Sequence, residues 1–266
     1  MSEQKSKIFA VIGEDARQKA AGSYLQLLGY TVVGAEDLYR ADHVLLPMPL
    51  SADKAGFVQL LKAAKPGALA FAGKVSQQAA QAAQEAGIEL LDYLEREELA
   101  LLNAIPTAEG CISLIFQNRL RTLWQSSVLV LGYGRCAQAL AGRLCALGAR
   151  VTVAARSPGQ LALAMSNGAK AVALSRMSTA LSQAQVVINT IPAPVLEEDS
   201  LAFLPKGSLI IDLASLPGGT DFEAAKQLGL QAIHALSLPA RCAPITAGEF
   251  VVRAVLSILE EKGELL

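Results

Sequence analysis

The sequence predicts an α/β fold of two domains, each a parallel sheet with helices on its faces. Three observations carry that prediction. Short apolar runs of strand length alternate with helical patterns along the chain, which is the rhythm of βαβ units. Glycines close many of the helical patterns, as at Gly29, Gly87, Gly148, Gly168 and Gly229. A glycine-rich turn, Gly132-Tyr133-Gly134-Arg135-Cys136-Ala137, joins the apolar run Val128–Leu131 to a helix with Leu140, Leu144 and Leu147 on one face, and Val151–Val153 then starts a second strand.

That turn reads G-x-G-x-x-A where a dinucleotide-binding Rossmann fold needs it. Gly132 allows the tight turn, Gly134 lets a pyrophosphate approach the backbone, and Ala137 lets the helix pack close to the strand. The free N–H groups and the positive dipole end of the helix then receive phosphate. The plainer alternative is an ordinary tight strand-to-helix turn. At the end of the second strand, where NAD enzymes usually carry an acid for the ribose 2′-hydroxyl, stands Arg156, followed by Ser157. An arginine pairs with a 2′-phosphate and an acid repels it, so NADP is favoured, with NAD as the alternative. A solvated arginine at a loop start is the bland reading.

Each element has its reason. Lys7–Ile12 is a buried strand, followed by Gly13-Glu14-Asp15-Ala16-Arg17-Gln18 and a helix to about Leu28. Thr31–Val33 and His43–Leu46 are short strands, the latter cut by Pro47 and Pro49. A helix over about Asp53–Ala64, strand Ala68–Ala72, an alanine- and glutamine-rich helix over Val75–Ala86 and strand Ile88–Leu91 complete an N-terminal substrate or partner domain, residues 1–105. Glu95–Leu102 is helical, and Pro106 suits the first turn of a new linking helix over 106–123. Residues 106–266 form the Rossmann domain. After its central βαβ unit come helices over about Gly159–Asn167 and Met177–Gln183. Strands Val186–Asn189 and Ser208–Asp212, helix Phe222–Leu228, strand Leu230–Ala235 and a last helix over about Thr246–Glu260 follow. The loops Thr190-Ile191-Pro192 and Leu213-Ala214-Ser215 follow the carboxyl ends of strands, where ligands sit in open sheets.

Composition bounds the function. Of 266 residues, 52% are apolar and 18% charged, so a sizeable core can be buried. Net charge is −1, from 23 basic and 24 acidic residues, which argues against nucleic acid or an anionic membrane as the main partner. The histidines, His43 and His234, are far apart, and Cys111, Cys136, Cys145 and Cys242 show no C-x-x-C spacing. No metal site is expected, and a reducing, cytoplasmic setting is. The polar start and the short run Ile8–Ile12 make neither a secretory signal nor a membrane span, and no other apolar segment reaches membrane length.

Several further motifs are specific. Val11-Ile12-Gly13-Glu14-Asp15-Ala16-Arg17-Gln18, Ile105-Pro106-Thr107-Ala108-Glu109-Gly110, the Gly132–Ala137 turn with Ala155-Arg156-Ser157, and Asn189-Thr190-Ile191-Pro192 stand in that order. Asp212-Leu213-Ala214-Ser215, Pro217-Gly218-Gly219-Thr220-Asp221-Phe222, Leu238-Pro239, Ala243-Pro244 and Thr246-Ala247-Gly248 follow. In these the chain resembles the family of dipicolinate synthase A subunits, two-domain proteins of spore-forming bacteria. It departs from that pattern at Glu14, where the family has glycine, and at Ala240-Arg241-Cys242 after Pro239, and its first domain looks shorter around Pro47–Lys65. The resemblance implies the last step of dipicolinate synthesis during sporulation. A dihydro- or hydroxytetrahydro-pyridine dicarboxylate is oxidised to pyridine-2,6-dicarboxylate. The resemblance also implies a partner, the flavoprotein-like B subunit of dipicolinate synthase; a homo-oligomer is expected too.

For that chemistry the candidate catalytic residues are Arg17, Thr107, Glu109 and Ser215. Arg17, Thr107 and the Gly218-Gly219-Thr220 amides are candidate carboxylate donors, and Glu109 or Asp15 the candidate base. Arg17 and Asp15 are placed beside the interdomain cleft by the same rule for open sheets. Plainer readings stand beside these: a surface ion pair for Arg17, a helix-capping Asp15, and a first-turn acid favouring the helix dipole for Glu109. A catalytic His234, as in 2-hydroxy acid dehydrogenases, is disfavoured against a structural one. Cys136 and Cys145 read as packing residues. Two rival functions remain: a dehydrogenase of amino or hydroxy acids, and a nucleotide-binding regulatory subunit inactive alone.

Overall fold

Two parallel sheets organise the chain. The computed structural model describes residues 7–50 and 57–265. They fall into two units, one of residues 1–102 and 243–266, the other of Asn103–Cys242.

In the first unit, β1 (Ile8–Val11), α1 (Ala16–Leu27), β2 (Thr31–Val33), β3 (His43–Leu45), α2 (Phe57–Lys62), β4 (Leu69–Ala72), α3 (Gln77–Glu85) and β5 (Glu89–Asp92) alternate as the periodicity predicts. The expected start of α2 at Asp53 lies outside the described residues. The sheet order is β2-β1-β3-β4-β5, all parallel. This is a doubly wound order whose switch point falls between β1 and β3. Strands β3 and β4 are buried at every position, which a sheet covered on both faces requires.

Helix α4 (Glu97–Asn118) runs from the first unit into the second. The sequence pattern reads as two helices divided at Pro106; the structure shows one continuous helix with Pro106 inside. Proline removes one backbone donor and is usually a breaker. Here Thr107 Oγ1 donates to the carbonyl of Asn103 at 2.7 Å, an added bond within the interrupted turn. By length and composition α4 would also cross a membrane, contrary to the reading of no such segment. Its Leu99, Ala104, Ala108, Cys111 and Ile115 are instead buried within the protein, as in a core helix.

The second unit continues with β6 (Ser127–Leu131), α5 (Arg135–Ala146), β7 (Arg150–Ala155), α6 (Pro158–Ser166), β8 (Lys170–Ala173), α7 (Ser178–Leu181), β9 (Val186–Asn189), α8 (Glu198–Leu201), β10 (Leu209–Asp212), α9 (Phe222–Gln227), β11 (Gln231–His234) and α10 (Leu238–Cys242). Its sheet, β11-β10-β9-β6-β7-β8, has the Rossmann strand order, with the switch point between β6 and β9. Leu140, Ala141 and Leu144 of α5 pack with Val128, Val130 and Val153 in one core.

Last comes α11 (Pro244–Glu261), predicted as the end of the Rossmann domain over 106–266. It belongs to the first unit, packed on α1. The contact is close: a Cβ on Gly248 would lie 2.5 Å from the carbonyl oxygen of Arg17. An amphipathic pattern shows that a helix has a buried face, not which sheet receives it.

Candidate functional site

The glycine turn sits at the carboxyl end of β6, at the switch point of the second sheet. Gly132 has φ +87°, and a Cβ there would meet Thr190 Oγ1 at 2.6 Å, so this position excludes other residues on two counts. A Cβ on Gly134 would meet nothing within 4 Å. Gly134 is the N-cap of α5 in an extended conformation, with no side chain bonded to the first turn. That turn therefore keeps N–H groups for an external anion. Ala137 is fully buried against the sheet.

A cavity of about 480 Å³ opens over this turn. Gly132 to Ala137 form its floor, Ala155, Arg156 and Gln160 its β7 side, and Thr190, Ile191 and Pro192 with Leu213, Ala214 and Ser215 its β9–β10 side. Arg156 is exposed at the end of β7. The structure thus gathers Gly132, Tyr133, Gly134, Arg135, Cys136, Ala137, Arg156, Thr190, Ile191, Pro192, Ala214 and Ser215 around one space. Ser157 is the exception: exposed at the N-cap of α6, it makes no cap bond and does not line the cavity. The Tyr133 ring is buried, with its hydroxyl accepting from Asn167 Nδ2 at 3.2 Å, so Tyr133 meets the cavity through its backbone. Burial raises the Cys136 thiol pKa, partly offset by the Arg135 charge and the neighbouring Thr107 side chain, which fits an unreactive packing residue. Another cavity, of about 330 Å³, lies at the amino ends of β6, β7 and β8, beside Ser127, Arg150 and Lys170. Ligands of open sheets sit at the opposite end.

The predicted catalytic residues are placed unequally. Ser215 is exposed on the cavity wall. Glu109 is 59% exposed and 3.8 Å from Arg143. It is no first-turn acid, because α4 begins at Glu97. The Thr107 hydroxyl already donates to Asn103. Two predicted carboxylate donors are also engaged: the Gly218 amide donates to Ser215 O at 2.8 Å, and the Gly219 amide to Asp212 Oδ2 at 2.9 Å. His234 Nε2 lies 2.9 Å from Ala214 O, with its ring stacked on Phe222 at 5.3 Å, a structural placement.

In the first unit, Arg17 stands at the switch point. Its side chain is 16% exposed, and its Nη2 donates to Asp15 Oδ2 at 2.7 Å and to Met48 O at 3.3 Å. Asp15 is also the N-cap of α1, accepting from the amides of Arg17 and Gln18, so the capping and orienting readings both hold. Burial alone would raise the Asp15 pKa, but the Arg17 side chain and the Gln18 amide outweigh it and hold the carboxyl below its ordinary value. A carboxylate so engaged is a poor base.

The sequence reading missed the group beneath the cavity wall. Asp212 is fully buried, and its carboxylate accepts from the side chains of Asn189 and Thr220 and the amides of Ala214 and Gly219. An aspartate closing an apolar strand was the available signal.

Comparison with known proteins agrees with this anatomy. Residues 127–215 match the family described as NADP oxidoreductase, coenzyme F420-dependent. The second unit is thus an NAD(P)-binding oxidoreductase domain. The chain is 38% identical over 179 residues to the dipicolinate synthase A subunit of Bacillus subtilis (strain 168), a stretch covering 67% of this chain and 60% of that protein. It therefore spans about 60% of the length of the curated relative it matches. The crystal structure of the dipicolinate synthase A subunit from Bacillus halodurans matches with TM-score 0.84 at 30% identity, over 95% of this chain and 97% of that one. The A chain of dipicolinate synthase from Bacillus subtilis matches with TM-score 0.84 at 29% identity, over 97% of each chain. With 30% identity and nearly the whole backbone in common with the Bacillus halodurans protein, the chain belongs to the family of dipicolinate synthase A subunits.

Proposed function

We propose that the chain is an NADP-dependent oxidoreductase that converts a dihydro- or hydroxytetrahydro-pyridine dicarboxylate to dipicolinate. The observation that carries this reading is the open cradle at Gly134 with exposed Arg156 at the end of the next strand. The cradle fits a pyrophosphate, because the N-cap leaves the first-turn amides of α5 to an outside acceptor. Arg156 pairs with the 2′-phosphate through a charge-assisted fork. A nicotinamide bound there would supply the hydride acceptor; a dihydropyridine dicarboxylate gives up a hydride and a proton to become aromatic, and a hydroxytetrahydropyridine dicarboxylate loses water as well.

The chain's own groups do the rest. Within the first unit, Arg17, already oriented by Asp15, is the group suited to hold a carboxylate. Ser215 contributes a hydroxyl from the cavity wall. Glu109 is the proposed proton acceptor: among Asp15 and Glu109, it alone is free of the helix-capping bonds that commit Asp15. Thr107 would have to leave its bond to Asn103 to act as a donor. Membership in a family of A subunits supports a partnering B subunit, flavoprotein-like in character.

Titrating NADP(H) and NAD(H) against the wild type and Arg156→Ala tests the carrying observation. A charge-assisted bond contributes ~1.5–3 kcal/mol, so the mutant should lose roughly ten- to a hundredfold in NADP affinity and little in NAD affinity. An unchanged ratio removes Arg156 as the selector. Reduced-nicotinamide formation from a coupled source of the dihydropyridine, with and without a B subunit, tests the reaction itself.

A further inference from the structure

Asp212 ends β10 with no exposed surface. Burying a carboxylate is costly unless its lone pairs are satisfied, and here neutral donors satisfy them. Oδ1 accepts from Asn189 Nδ2 at 3.0 Å and the Ala214 amide at 2.9 Å; Oδ2 accepts from the Gly219 amide at 2.9 Å and Thr220 Oγ1 at 2.8 Å. The donors come from two loops. Asn189 closes β9 and passes the grip onward, exchanging two bonds of 3.0 Å with the backbone of Ile191. Ala214 is held on its other side, its carbonyl oxygen lying 2.9 Å from His234 Nε2. The loops touch backbone to backbone, for a Cβ on Gly219 would lie 2.5 Å from Ala193 O and 2.6 Å from Ile191 O.

These loops, at 190–192 and 213–215, form the β9–β10 wall of the cavity. Arg156 marks the β7 side, across the switch point. In this strand order the adenosine half of a dinucleotide lies toward β7 and the nicotinamide half toward β9 and β10. We propose that Asp212 is the positioning residue for the nicotinamide half. By drawing Asn189, Ala214, Gly219 and Thr220 onto one carboxylate, it gives the wall at 190–192 and 213–215 a single shape. It touches no ligand itself, and the inference rests on the nucleotide reading of this cavity.

The test uses two ligands against the full chain, NADPH and adenosine 2′,5′-bisphosphate, which keeps the 2′-phosphate but lacks the nicotinamide half. Asp212→Asn keeps the shape but turns an NH2 group toward one pair of donors. Calorimetric titration should show NADPH affinity reduced about tenfold or more, the scale of one lost buried hydrogen bond, with fragment affinity unchanged. Equal loss of both ligands marks a merely structural residue and overturns the proposal, as does wild-type NADPH affinity. Thr220→Val, which removes one donor and no charge, serves if Asp212→Asn does not fold. It should show the same selective loss, with Thr220→Ser restoring the wild-type ratio; a wild-type ratio in Thr220→Val also overturns it. A wild type that binds neither ligand is a different result, one that removes the nucleotide reading beneath.

Discussion

His43 shows how much one buried side chain can decide. It opens β3 at 1% exposure, its ring 4.9 Å from that of Phe9, and neither ring nitrogen has a hydrogen-bond partner among the described residues. Burial, aided by the nearby Lys7 charge, lowers its pKa to about 4. The unfolded chain, titrating near the ordinary value of about 6.5, binds a proton first as pH falls. Full stability is therefore present above about pH 6.5 and declines toward pH 4, by about 3 kcal/mol from this group. Denaturant midpoints across that window should fall in the wild type and fall less in His43→Leu; parallel curves would exclude His43 as the source. Nothing adjacent in the sequence announces this, because the burial comes from neighbouring strands. The glycine turn was legible for the opposite reason: Gly132, Gly134 and Ala137 answer local demands of one turn. Asp212 was not, since its partner Asn189 lies 23 residues away.

Among the elements, legibility followed the strength of the local pattern. Strand β9, whose Val186-Val187-Ile188 is apolar and β-branched up to the closing Asn189, was read at its observed bounds. Strand β8, whose Lys170-Ala171-Val172-Ala173 carries little β propensity, was missed, as were the short helices α8 and α10. Pro106 misled because proline is usually a breaker, yet α4 carries it. The α1–α11 contact yields a prediction at this scale. Gly248→Ala would place a methyl 2.5 Å from a backbone oxygen and 2.8 Å from Ala20 Cβ, neither of which can swing aside. Overpacking of this kind costs about 1–3 kcal/mol, so the urea midpoint should drop while the far-ultraviolet spectrum is kept. An unshifted midpoint would mean the helices separate without strain.

On the scale of the molecule, the two-sheet architecture was readable, but the route of the chain through it was not. The chain leaves the first unit inside α4, builds the second, and returns at residue 243 with α11. Phe250, Val251, Val255 and Leu259 of that helix are buried residues that only the returning segment can supply. Removal of residues 243–266 should therefore leave nucleotide binding by the second unit intact while making the first unit sensitive to protease. Loss of nucleotide binding together with the first unit would show the two to be one cooperative body. The same return path sets a timetable for the ribosome. Domains ordinarily fold in order of synthesis, the earlier one first. Here the earlier unit must wait, its α1 surface uncovered, until α11 clears the exit tunnel, while the nucleotide-binding unit has all of its sequence beforehand. The later-made half is the one ready first, and the nascent N-terminal half is the natural client for a chaperone.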